Sequence, residues 1–204
     1  MIICSLIISS CSNKKPLCPD ENHPHLIDLG LPNGTKWACC NVGANSPEDI
    51  GGYYAWGETE IKSVYDDQNY KHGELSNRLP QKMGNIAGSQ YDAAQVRMGS
   101  SYVMPTSEQW NELLDYCTWE CANYNGHNGW RIQGPNGNQI FLPLGGMKAD
   151  KIYVKDEHGH YWTSDYNNHD KLPCSFSTNG AAREVGSTIS YSTYGFNVRA
   201  VGAN

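Results

Sequence analysis

Residues 104–117, MPTSEQWNELLDYC, decide the fold class, because they read as one helix standing between two strand-rich halves of the chain. Thr106 and Gln109 form a capping box, in which the threonine hydroxyl accepts the N3 amide and the glutamine reaches back to the cap residue. Trp110, Leu113, Leu114 and Cys117 then recur at i, i+3, i+4 and i+7, which places them on one apolar face and marks that face as core. Glu108 sits in the first turn, where the helix dipole favours a carboxylate. Working outward, residues 91–98, YDAAQVRM, read as a short amphipathic helix broken at Gly99. Upstream, residues 26–43, LIDLGLPNGTKWACCNVG, read as a hairpin around Asn33-Gly34, a dipeptide favoured where both central turn residues need positive φ. Residues 47–58, PEDIGGYYAWGE, predict a short strand in a packed loop, and residues 59–88 read mostly as loop. Downstream, GWRI (129–132) and QIFL (139–142) flank PNGN (135–138), a second hairpin of the same kind. Three further strands are expected in residues 160–164, 174–177 and 195–201. Strands, then two helices, then strands again predict an α+β fold with antiparallel sheet.

Composition agrees with that reading. The chain has 204 residues, enough for one domain, and its 21 Gly and 10 Pro favour short strands joined by ordered loops. Its 6 Trp and 13 Tyr concentrate buried area at few positions, and Trp37, Trp56, Trp110, Trp130 and Trp162 read as scaffold. A formal charge of −6 with no basic stripe argues against nucleic acid as a partner, since a phosphate backbone is bound through clustered Lys and Arg.

The first eleven residues, MIICSLIISSC, are apolar, small and uncharged. Ile8-Ser9-Ser10-Cys11 resembles a bacterial lipobox, so residues 1–11 are expected to be a lipoprotein signal segment with Cys11 as the lipidated residue. No Lys or Arg precedes the apolar stretch, as in a leader that begins further upstream. Residues 12–25 are polar and proline-punctuated and read as a tether, leaving 26–204 as the domain. The expected location is the bacterial envelope, with the outer membrane or cell surface reached through the lipid alone.

Six cysteines follow Cys11, namely Cys18, Cys39, Cys40, Cys117, Cys121 and Cys174. An exported domain can form disulfides, and the spacing leaves the pairing open. Cys117 and Cys121, four apart, are expected on one helix face. No CxxC occurs, so spacing gives a zinc site only weak support. Glu157-His158-Gly159-His160 puts two imidazoles on one face of a strand but offers no third ligand. Asp165-Tyr166-Asn167-Asn168-His169-Asp170 is rich in oxygen but lacks the central Gly and closing Glu of a helical calcium loop. No catalytic triad, nucleophile elbow or phosphate-cradling loop is present, and Glu58 and Glu112 have no visible partner arrangement.

The segments DLGLPNGTKWACCNVGA, GGYYAWGE, YDAA, MPTSEQWNELLDYCTW, GPNGNQIFLPLGG, YWTSD and GFNVRAV occur in that order over about residues 26–202. This series resembles the lipoprotein family of Bacteroidetes and Fibrobacteres called the Fibrobacter succinogenes major paralogous domain. That family is similar to the formylglycine-generating-enzyme branch of the C-type lectin fold. The resemblance implies two helices with a small irregular antiparallel sheet and long loops carrying the variable surface. It allows a structural calcium ion and implies no other cofactor. The enzyme branch uses two nearby late cysteines to bind copper, whereas only Cys174 follows Cys121 here, so the chain is expected not to be an enzyme.

Residues 187–197, STISYSTYGFN, concentrate Ser, Thr, Tyr, Gly and Asn, the palette of adaptable recognition loops. In related lectin-fold proteins such C-terminal positions are diversified. Ser190, Tyr191, Thr193, Tyr194 and Asn197 are therefore expected to bind a ligand, an extracellular glycan or protein. The alternatives are an enzyme of the formylglycine-generating or sulfatase-modifying type and a structural surface or fimbrial-type component.

Overall fold

A computed structural model of the chain describes residues 17–72, 84–170, 172–187 and 192–203. The expected lipidation site Cys11 and the loop residues Ser190 and Tyr191 lie outside these. The described residues form a mixed α+β fold of small antiparallel sheets with two helices. Strands β1 (Leu26–Asp28) and β2 (Lys36–Asn41) pair as expected, and the last strand, β12 (Arg199–Gly202), inserts between β2 and β3 (Tyr102–Val103). A meander of β4 (Thr118–Tyr124), β5 (His127–Gln133) and β6 (Gln139–Pro143) follows. A second meander joins β9 (His158–Asn167), β10 (Leu172–Asn179) and β11 (Arg183–Ser187), and between the two lies a small hairpin of β7 (Met147–Lys148) and β8 (Ile152–Tyr153).

The two Pro-Asn-Gly turns differ from the expected form in one respect. The Gly34 amide donates to the Leu31 carbonyl and Gly137 to Gly134, each at 2.9 Å, and positive φ falls on the glycines (72° and 80°) but not on the asparagines. Proline and asparagine thus occupy the turn centre with glycine one place later, the type I arrangement. The turns also dock on each other. Asn136 and Asn138 donate from Nδ2 to the Asp28 carbonyl at 2.9 and 2.8 Å. Gly134 lies so close to the first hairpin that a Cβ there would sit 2.1 Å from the Leu29 oxygen.

Helix α1 (Ala93–Met98) is capped by Asp92, and α2 (Ser107–Tyr116) has the full capping box, with Thr106 Oγ1 accepting from Gln109 N at 3.2 Å and Gln109 Oε1 accepting from Thr106 N at 2.9 Å. Trp110 and Leu113 are fully buried, and the Trp110 ring stacks on Phe176 at 4.3 Å and meets Trp37 at 4.7 Å. A neighbouring core cluster stacks Trp162 on Phe196 at 4.2 Å. All five scaffold tryptophans are buried.

The expectation for Cys117 and Cys121 changes. Helix α2 ends at Tyr116 with Cys117 as its C-cap, so Cys121 belongs to β4 and the two thiols share no helix face. Residues 118–124, TWECANY, hold enough aromatic and β-branched bulk to pair along β5 over their whole length. The oxygen-rich segment, which ends β9 and leads into β10, spends its acceptors on backbone and side-chain amides, Asp165 Oδ1 accepting from Asn85 Nδ2 at 2.6 Å. Asp165 Oδ2 accepts from Ser107 N at 2.6 Å at the start of α2, and Asn167 Oδ1 accepts from His169 N at 2.9 Å to close the turn into β10.

Candidate functional site

Of the three described loop residues expected at a ligand surface, Thr193, Tyr194 and Asn197, the structure leaves one beside open space. Thr193 is 2% exposed and Asn197 is fully buried. Asn197 works as a clamp: its Nδ2 donates to the carbonyls of Ile50 and Gly52 at 3.1 and 3.0 Å, and its backbone bridges His160 and Trp162. The Asn197 amide that suggested recognition is here satisfying buried backbone, which needs the same chemistry. Tyr194 alone among the described members is half-buried and borders open space.

Tyr194 forms one wall of a groove of about 170 Å³ with Met147, Lys148, Ala149 and Tyr153. The β7–β8 hairpin supplies the other wall, a feature the sequence reading missed because two-residue strands carry no periodicity. The Lys148 and Gly195 backbones exchange hydrogen bonds at 2.9 Å, which locks the hairpin against the Tyr194 loop. Tyr153 donates its hydroxyl to Asp150 Oδ1 at 2.6 Å, and Lys151 Nζ lies 5.2 Å from the Tyr153 ring centre. Ile152 and Val154 are 42% and 37% exposed beside the groove. Val154 has φ of 48°, and a β-branched residue there is strained by roughly 1–3 kcal/mol. The amides of Glu157 and His158 hold it by donating to its carbonyl at 3.2 and 2.9 Å. Backbone strain of this sort gathers at ligand-contacting loops.

The buried carboxylates have structural work. Glu58 pairs with Lys62 Nζ at 2.8 Å and accepts the Lys71 amide, and Glu112 accepts the Asn33 amide at 2.7 Å, fastening the first hairpin to α2. His158 and His160 do share a face of β9, with stacked rings 5.9 Å apart. His160 packs on Phe196 and meets Ser177 Oγ at 3.1 Å. Burial, with His158 nearby, pushes its pKa from 6.5 down to about 4. The folded state thus refuses a proton that the unfolded chain takes. The stabilisation is complete above 6.5 and is lost as pH falls toward about 4, by up to about 3 kcal/mol. Urea unfolding of His160→Gln is expected to show a flatter pH profile across that window, and an unchanged slope would contradict the assignment.

A second cluster lies beside strand β2. Residues 17–25, expected as a free tether, instead pack against β2, with Tyr102 donating its hydroxyl to the Pro24 carbonyl at 2.9 Å. They bring Cys18, His23 and His25 to Cys39, with one donor atom from each within 4.8 Å of the others. Cys39 Sγ is 3.4 Å from His23 Nδ1 and 3.9 Å from His25 Nδ1. Hydrogen bonding from the Cys18 thiol, above all, holds Cys39 well below the usual thiol range, and Cys40, the His25 amide and His23 add to this. The same bond and burial push Cys18 up. Comparison with protein-family models, curated proteins and solved structures finds no match to this chain.

Proposed function

We propose that the chain is a non-catalytic recognition domain of a bacterial envelope lipoprotein, anchored through Cys11 and built on a lectin-like scaffold of the formylglycine-generating-enzyme branch. The order of sequence motifs supports the scaffold, and the two helices, small antiparallel sheets and long loops agree with it. The ligand site is the groove between Tyr153 and Tyr194, and the observation that carries this reading is that groove's two aromatic walls beside a strained, exposed turn. Its volume of about 170 Å³ suits a single small ring, below the roughly 300–1,000 Å³ of drug-sized sites. Tyrosine faces pack against the C–H faces of a sugar, while the Tyr153 hydroxyl, which donates to Asp150, can accept a hydrogen bond from a sugar hydroxyl. A glycan is therefore the favoured ligand. Ile152 and Val154, exposed beside the groove, favour a protein partner as the second reading.

The test is a glycan array probed with residues 12–204. Binding is expected, with Tyr153→Ala and Tyr194→Ala each weakening it about tenfold, as anchor residues do. Tyr116→Ala, at an exposed tyrosine on α2, is expected to leave binding unchanged. No glycan bound, or equal loss in all three variants, would reject the groove as a sugar site.

A further inference from the structure

We propose that Cys18, His23, His25 and Cys39 form a closed, four-ligand site for a zinc ion, which fastens the segment entering the domain to strand β2. The donor set is two sulfurs and two imidazole nitrogens with no carboxylate, the combination that selects zinc in tetrahedral structural sites. Zinc–sulfur and zinc–nitrogen bonds of about 2.3 and 2.05 Å put tetrahedral S and N ligands about 3.6 Å apart. The Cys39–His23 and Cys39–His25 separations of 3.4 and 3.9 Å bracket that value. The remaining donor pairs lie within 4.8 Å of one another, so coordination draws the cluster in around the ion.

The surroundings fit as well. Asp20 Oδ1 lies 3.2 Å from His25 Nε2, so the carboxylate holds the far ring nitrogen and leaves Nδ1 facing the sulfurs. Metal-bound histidines are oriented by such carboxylate partners. The His25 amide donates to Cys39 Sγ at 3.1 Å, which favours a thiolate there. Behind the cluster, fully buried Arg199 donates to the Cys39 carbonyl at 2.8 Å and places a fixed positive charge beside the thiols. The ligand order, Cys18-x4-His23-x-His25-x13-Cys39, joins the eight-residue segment 18–25 to a strand across β1 and resembles no CxxC pattern. All four protein ligands being present, the site has no open position for substrate and serves structure.

The full chain, purified with its thiols reduced, is expected to hold close to one equivalent of zinc after dialysis, measured by elemental analysis. Cobalt(II) replacing it is expected to give thiolate charge-transfer absorption and the intense visible bands of a tetrahedral ion. Cys18→Ser, at the domain edge, and Cys39→Ser are each expected to drop zinc below a tenth of an equivalent. His25→Cys is expected to keep it, and Cys117→Ser is expected to bind as the parent does. A reduced parent chain with less than a tenth of an equivalent, or full zinc in Cys18→Ser, would overturn the site. So would a Cys18–Cys39 disulfide in the isolated protein whose reduction restores no metal binding.

Discussion

Replacing Arg199 with Met is expected to abolish stable folding. Arg199 is fully buried and its guanidinium makes four hydrogen bonds, to Asn41 Oδ1 at 2.8 Å and to the carbonyls of Ala38, Cys39 and Phe141 at 3.0, 2.8 and 2.8 Å. One side chain of β12 thus ties together β2 and β6. Burial lowers its pKa, yet arginine stays charged at any ordinary pH. Methionine fills much of the same space but leaves four acceptors unsatisfied in the interior. Each such acceptor costs roughly 1–3 kcal/mol, so a loss of about 5 kcal/mol or more is expected, against a total of about 5–15 kcal/mol for a typical domain. Arg199→Lys is expected to recover less than half, since one ammonium cannot span acceptors arranged for a planar fork. Urea unfolding followed by near-ultraviolet circular dichroism measures both, and a loss under about 1 kcal/mol for the methionine variant would contradict this role.

The second large effect is expected at Asp92. Its Oδ1 accepts the amides of Ala94 and Gln95 at 2.8 and 3.2 Å, capping α1, while Oδ2 accepts Gly88 and Met104 at 2.8 and 2.9 Å. The residue is fully buried, and burial raises its pKa in spite of these four bonds. A carboxylate that joins a turn, a helix and the approach to β3 has two functions in one group. Asp92→Ala is expected to lose about 3–4 kcal/mol, more than the ~1 kcal/mol of an exposed cap, because the orphaned amides have no water to turn to. Asp92→Asn keeps one acceptor oxygen and is expected to lose about half as much. Thermal unfolding of the pair checks this, and equal midpoints for the parent and Asp92→Ala would refute it.

How much of this was legible depended on how local each signal was. Both helices could be read from local signals: the longer from its cap, Thr106 with Gln109, and the shorter from its amphipathic run up to Gly99, while its Asp92 cap emerged only in the structure. The hairpins at Asn33-Gly34 and Asn136-Gly137 were marked by their turns, though the turn type rested on hydrogen bonds that sequence does not display. Strand β4 was hidden because Cys117 completes the helical stripe and suggests that the helix runs on, when pairing with β5 takes over at Thr118. The C-terminal loop misled for a chemical reason. Ser, Thr and Asn suit a wet recognition surface and a buried loop that must satisfy its own backbone equally well; Thr193 and Asn197 are both buried, and Asn197 does the second. Tyr194 could be foreseen, but its partners on the β7–β8 hairpin could not. The thiol–imidazole cluster escaped notice because proline-rich, polar residues 17–25 look like a tether until β2 brings Cys39 beside them.

The recognition reading is tested most directly by mapping where a bound sugar sits. Residues 12–204 labelled with nitrogen-15 would be titrated with the tightest-binding glycan from the array, following amide shifts. The account predicts shifts confined to residues 146–154 and 193–195, around Tyr153 and Tyr194. Shifts gathered instead at a separate cleft lined by Leu17, Pro19, Leu26 and Asn138 would contradict it.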